Sequence, residues 1–124
     1  MSLPRVLVVE DSAEIRESLR DVLEFEGFDV RVAADGRAGL EAIDRDGPPD
    51  VLLLDLMMPV MDGWEVLAAL RASQAPARAR LPVIVVSGAT DAEHVAHRYG
   101  CAALVKPVDI ERLLDALRRC LGTA

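Results

Sequence analysis

Asp55 interrupts an apolar run from Val51 to Met58, where an unpaired charge would be costly to bury. Three other apolar runs also give way to reactive side chains. Val6–Val9 leads into Glu10 and Asp11, Val83–Val86 into Ser87, and Ala102–Val105 into Lys106-Pro107. A carboxylate is a competent nucleophile when its surroundings neutralise the charge that builds up on the group it attacks. Three carboxylates brought together would repel one another and raise at least one pKa, unless a cation sits among them. Magnesium, or manganese in its place, takes oxygen ligands in near-octahedral geometry and keeps open positions for phosphoryl oxygens. Lys106 would neutralise a further phosphoryl oxygen, Ser87 would donate a hydroxyl, and Asp55 remains as nucleophile. Phosphoryl transfer needs little more, because positioning and charge stabilisation supply most of its catalysis.

Taken singly, each residue has a plainer reading. An acid after a strand is commonly a helix N-cap, Ser-Gly a turn, and a lysine before proline a surface charge. The conjunction carries the argument, because ligands in open α/β sheets bind outside the carboxyl ends of the strands.

The elements that must bring these residues together are legible in the hydropathy pattern. Val6–Val9, Val30–Ala33, Val51–Leu54, Val83–Val86 and Ala102–Val105 read as short strands, most of them continuously apolar, as strands covered by helices on both faces are. Between them lie segments of helical period. Ile15, Leu19, Val22 and Leu23 form one apolar stripe, and Ile110, Leu113, Leu114 and Leu117 form another near the C-terminus. Gly27 and Gly100 close helices, Gly47-Pro48-Pro49-Asp50 precedes the third strand, and Thr90 with Glu93 has the form of a capping box. Ser73 to Arg80 reads as a loop. The pattern is a (βα)5 α/β domain with a parallel five-stranded sheet and right-handed crossovers.

At 124 residues and 52% hydrophobic, the chain is expected to form a single domain over residues 1–124. A net charge of -7 argues against direct nucleic-acid binding, since it would repel a phosphate backbone. No apolar run suits a membrane span or a signal peptide, so the expected location is cytoplasmic. Cys101 and Cys120 have no partners at zinc-ligand spacing and read as ordinary, partly buried thiols. His94 and His97 are expected on a helix surface, and Trp64 against the core beside Leu67 and Leu70.

In these features the sequence resembles the receiver domains of bacterial two-component response regulators, over nearly its whole length. Val-Leu-Val-Val-Glu-Asp at 6 to 11 is similar to that family's acidic pair. Asp55-Leu-Met-Met-Pro-Val-Met-Asp-Gly63 is similar to its phosphoacceptor loop, Leu81 to Ser87 to its fourth strand with a switch hydroxyl, and Lys106-Pro107 to its final signature. The resemblance implies a doubly wound sheet of strand order 2-1-3-4-5. It implies that the Glu10, Asp11 and Asp55 carboxylates and the Met57 main-chain carbonyl hold magnesium, and that the Lys106-Pro107 bond is cis. It further implies a phosphohistidine donor on a sensor histidine kinase or a histidine phosphotransfer protein, and a downstream partner or effector met through the fourth helix, fifth strand and fifth helix. Gly88 would leave room beside the phosphoryl group, with Ala89 and Met57 flanking its approach. The domain would catalyse its own phosphorylation and dephosphorylation at Asp55 and turn over no external substrate.

One position departs from the family. A Tyr or Phe commonly lies three residues before the lysine and moves inward when the switch hydroxyl engages the phosphoryl group; here that residue is Ala103. Tyr99 is a conceivable substitute. The departure keeps open a pseudo-receiver that binds partners without phosphorylation. A haloacid-dehalogenase-like phosphatase, which also uses an aspartyl nucleophile, needs a second Asp two residues on, where this chain has Met57.

Overall fold

The computed structural model describes residues 3–122, with the side chains of all but residues 89–92. Strands β1 (Arg5–Val9), β2 (Asp29–Ala33), β3 (Val51–Asp55), β4 (Val83–Ser87) and β5 (Ala102–Val105) alternate with helices α1 (Ala13–Phe25), α2 (Gly36–Asp46), α3 (Gly63–Arg71), α4 (Pro76–Ala79), α5 (Ala89–Tyr99) and α6 (Ile110–Leu121). All strand pairs are parallel, in the order β2-β1-β3-β4-β5. The expected fold class and strand order are therefore what the chain adopts. The segment read as a loop holds one helical turn, α4, started by Pro76 at a position where the missing N–H costs nothing. As a result, the fourth and fifth helices expected from the sequence are α5 and α6.

Side-chain alternation along the strands divides the core into two layers. Leu7, Val9, Leu52, Leu54, Val83 and Val85 pack with Ile43 of α2, Leu67 of α3 and Val95 of α5. The intervening residues Val6, Val8, Val51, Leu53, Ile84 and Val86 pack with Leu19 and Leu23 of α1 and Leu113 and Leu117 of α6. With both faces covered, β3 and β4 are buried at every position, which is why they read as unbroken apolar runs.

The helical stripes are shorter than the periodicity suggested. Ile15 is 43% exposed and Ile110 37% exposed. Each lies in the first turn of its helix, at the carboxyl end of the sheet, where no strand remains to cover it. Helix α5 starts at Ala89 with Gly88 at its N-cap, so Thr90 falls inside the helix and is not the capping residue; its side chain lies outside the described residues. A true capping box stands at Asp62 and Glu65, where each side chain bonds the other's main-chain N–H at the start of α3.

At the amino end of the strands, Arg71 ties three elements together. Its guanidinium donates to the carbonyls of Leu81 (2.8 Å), Ala79 (3.2 Å) and Tyr99 (3.3 Å). Arg71→Ala removes charged donors from three acceptors that are partly shielded from water, and is expected to cost about 2–4 kcal/mol, read as a lowered denaturant midpoint with an unchanged slope. A loss below about 0.5 kcal/mol would contradict this role.

Candidate functional site

Register and pleat together place the reactive residues. Val9 pairs with Leu54, so Glu10 and Asp55 sit side by side one step further on. Both share the alternation of Val8 and Leu53 and face the α1–α6 side, and Lys106, two residues after Leu104, has the same parity. Ser87 pairs with Val105 at the ends of their strands, with Lys106 following immediately. The Lys106 N–H donates to the Ser87 carbonyl at 2.9 Å. The Lys106-Pro107 peptide is cis.

The outcome is a compact polar cluster at the carboxyl edge of the sheet. Glu10, Asp11 and Asp55 each bring a carboxylate oxygen within 4.8 Å of the others'. Asp55 is 3% exposed and Glu10 4%, whereas Asp11 is exposed. Lys106 Nζ lies 3.2 Å from Asp55 Oδ2 and 3.9 Å from Glu10 Oε1. The Met57 N–H donates to Asp55 Oδ1 at 3.1 Å. Ser87 is 1% exposed, and its hydroxyl has no hydrogen-bond partner, a costly arrangement for a buried donor. A cleft of about 550 Å³ between α1 and the start of α6 opens onto the cluster, lined by Ile15, Val108 and Ile110 beside Glu10, Asp55 and Lys106.

Burial raises the Glu10 carboxyl to about 7, with the charge of Asp55 adding to the rise and the Ser12 N–H opposing it. The folded state thus keeps this proton to a higher pH than the unfolded chain does. The Glu10 contribution to stability is present in full below about 4.5 and is lost as pH rises to about 7. In buffer free of divalent cations, the melting temperature should fall across that interval more steeply in the wild type than in Glu10→Gln. Parallel pH profiles for the two proteins would refute the assignment.

These observations meet what a hard cation requires. Three close carboxylates, two of them buried, with Glu10 raised chiefly by its burial and further by the charge of Asp55, form a site whose repulsion a divalent ion relieves.

Of the remaining residues read from sequence, Ala103 is half-buried in β5 opposite Val85, and it packs in the layer with α5. A Cβ on Gly88 would meet no atom within 4 Å, so the space beside it is open. Ala89 begins α5, and its side chain lies outside the described residues. Met57 is 67% exposed at the mouth of the cluster. Tyr99 is the last residue of α5, edge-to-face with Trp64 at 6.5 Å. An 11-residue helix that begins just after Gly88 spans about 16 Å, so Tyr99 lies at the wrong end of it to replace the missing aromatic. His94 and His97 are exposed, and the two cysteines are half-buried free thiols whose pKa burial pushes up.

Two contributors escaped the sequence reading. Ser12 caps α1 by accepting from the Ile15 N–H at 3.3 Å, and its own N–H donates to Glu10 Oε2 at 3.1 Å. Its signal was a Ser three residues ahead of the first apolar residue of a helical stripe. Arg16 donates from Nη1 to the Glu10 carbonyl at 2.9 Å, a contact that no spacing rule announces.

The family model of the response regulator receiver domain matches residues 6–118. Response regulator MprA of Mycolicibacterium vanbaalenii is 41% identical over 120 residues, which cover 94% of this chain and 50% of that protein. The chain spans about half the length of the curated relatives it matches. Among solved structures, a putative response regulator from Chloroflexus aurantiacus superposes with a TM-score of 0.87 at 28% identity, covering 98% of this chain and 99% of that one. Chemotaxis protein CheY4 of Vibrio cholerae superposes with a TM-score of 0.82 at 31% identity, over 97% and 100%. Fold and site thus define a doubly wound α/β receiver. The chain belongs to the response regulator receiver domain family of two-component systems.

Proposed function

We propose that this domain is phosphorylated on Asp55 by a phosphohistidine of a sensor histidine kinase or a histidine phosphotransfer protein, and that the modification shifts it between inactive and active states. The observation that carries the reading is the buried Asp55 carboxylate, held 3.2 Å from Lys106 beside two further carboxylates, at the same sheet edge as the unpartnered Ser87 hydroxyl. An Asp55 oxygen attacks phosphorus, an acyl O–P bond forms, and the donor's P–N bond breaks with its electron pair returning to the imidazole. Lys106 offsets the charge on the phosphoryl oxygens. The Met57 N–H keeps the carboxylate oriented toward the open edge. Glu10, Asp11, Asp55 and the Met57 carbonyl would hold a magnesium or manganese ion, which would supply further positive charge there.

Ser87 connects chemistry to signal. Its hydroxyl, unsatisfied in this state, gains an acceptor once a phosphoryl group is present, an advantage of about 1–3 kcal/mol. That is enough to shift a two-state equilibrium by roughly 5–150-fold. With Ala103 in place of an aromatic, the shift passes through Ser87 and the segment from Gly88 into α5, and is read on α5, β5 and α6 by a downstream protein or effector segment. The setting is cytoplasmic, and among the described residues no helix is long and apolar enough to cross a membrane.

Incubation with acetyl phosphate and magnesium, followed by intact mass measurement, tests the reading. A labile gain of one phosphoryl group supports it, and no gain points to a pseudo-receiver. For the signal, amide NMR shifts on adding beryllium fluoride should extend from Ser87 through Gly88 into β5 and α5. Shifts confined to Glu10, Asp11 and Asp55 would contradict that route.

A further inference from the structure

Arg16 stands in the second turn of α1, half-buried, and turns back toward the corner that carries the acid pair. Its Nη1 donates to the Glu10 carbonyl at 2.9 Å and lies 3.5 Å from the Asp11 carbonyl. Among the described residues it forms no ion pair, although carboxylates crowd this end of the molecule. The rest of the corner is held from other directions: the Glu10 N–H donates to the Ala33 carbonyl at 3.1 Å, and the Ser12 N–H restrains the Glu10 carboxylate. Arg16 is thus the side chain that fixes the main chain between the two acids. Asp11 has the greater need of it, being exposed, whereas Glu10 is buried.

We infer that Arg16 is a positioning residue for the Glu10–Asp11 pair, setting the divalent-cation affinity of the site through the main chain of that corner. The inference rests on the cation-assisted phosphoacceptor reading of Asp55. Two effects of opposite sign meet at Arg16. A guanidinium this close to a cation site disfavours the cation by Coulomb repulsion, so removing it should tighten binding if charge were all that mattered. As a support that holds two ligands in place, its removal should weaken binding, as loss of outer partners of metal ligands does, by about tenfold or more.

The test measures manganese binding by calorimetry in the wild type, Arg16→Ala and Arg16→Lys, well below the melting temperature of each, with far-UV circular dichroism establishing that each is folded. The expected result is a Kd raised about tenfold in Arg16→Ala and largely recovered in Arg16→Lys, whose ammonium can still reach one carbonyl. A role limited to stability would lower the melting temperature and leave the Kd of the folded protein unmoved. An unchanged or lower Kd in Arg16→Ala overturns the inference while leaving the phosphoacceptor reading intact. Failure of the wild type itself to bind manganese overturns both.

Discussion

Asp55→Asn is expected to abolish phosphoryl uptake while leaving the cation-free domain at least as stable as the wild type. The amide is nearly isosteric and still accepts the Met57 N–H, so the local backbone keeps its hydrogen bond at 3.1 Å. It has no anionic oxygen to attack phosphorus, and no other described carboxylate combines burial with the 3.2 Å Lys106 contact. The effect on activity is therefore complete loss, against the 10²–10³-fold that removing one charge-stabilising donor typically costs. The effect on stability runs the other way. Asp55 adds its negative charge to the burial that raises Glu10, and taking that charge away relieves repulsion inside a buried trio. Lys106 loses one ion pair, but it is 38% exposed on its side chain and keeps water and Glu10 as partners. A melting temperature well below the wild type's, measured without divalent cations, would show that Asp55 serves mainly as a structural counter-ion.

Gly63→Ala should destabilise the fold strongly and reach the site through the end of β3. The Gly63 N–H donates to the Leu56 carbonyl at 3.0 Å, drawing the start of α3 against the end of β3. A Cβ there would lie 2.7 Å from Leu56 Cα and 2.8 Å from the Asp55 carbonyl oxygen. Both are backbone atoms beneath a buried strand end, so neither can move away as a flexible side chain would. The Asp62–Glu65 capping box also holds α3 at its present start, which limits retreat in the other direction. We expect a loss of about 2–4 kcal/mol and a melting temperature lower by roughly 10 °C or more. Gly88→Ala is the internal control. No atom lies within 4 Å of its built Cβ, so its cost should stay within about 1 kcal/mol, the range of an N-cap change. Similar losses in the two variants would contradict the close packing of α3 on β3.

What the sequence discloses follows from which forces leave a periodic mark. Burial on both faces leaves one, so the five strands were legible, four of them to within a residue of their observed ends and β5 at both ends. Asp55 was legible because a charge in an apolar run stands out, and Glu10, Ser87 and Lys106 because they follow such runs. Helix α4 was not, since one turn begun by proline has no period to detect. The exposure of Ile15 and Ile110 depends on where the sheet stops relative to each helix, a property of three dimensions alone. Contacts from a long side chain to a distant carbonyl, such as Arg71 to Leu81 or Arg16 to Glu10, leave no imprint on residue spacing at all. Tyr99 stayed a conceivable substitute for the aromatic missing at Ala103 until the direction of α5 put it at the far end of the helix.

Trapping the acyl phosphate shows whether the Asp55 carboxylate is the group that takes the phosphoryl. After reaction with acetyl phosphate and magnesium, borohydride reduction converts a phosphorylated aspartate to homoserine, and peptide mass spectrometry locates the change. Homoserine at position 55, absent when magnesium is withheld, is the predicted result. Homoserine at another aspartate, the corresponding longer alcohol at a glutamate, or no reduced residue anywhere after complete peptide coverage would contradict it.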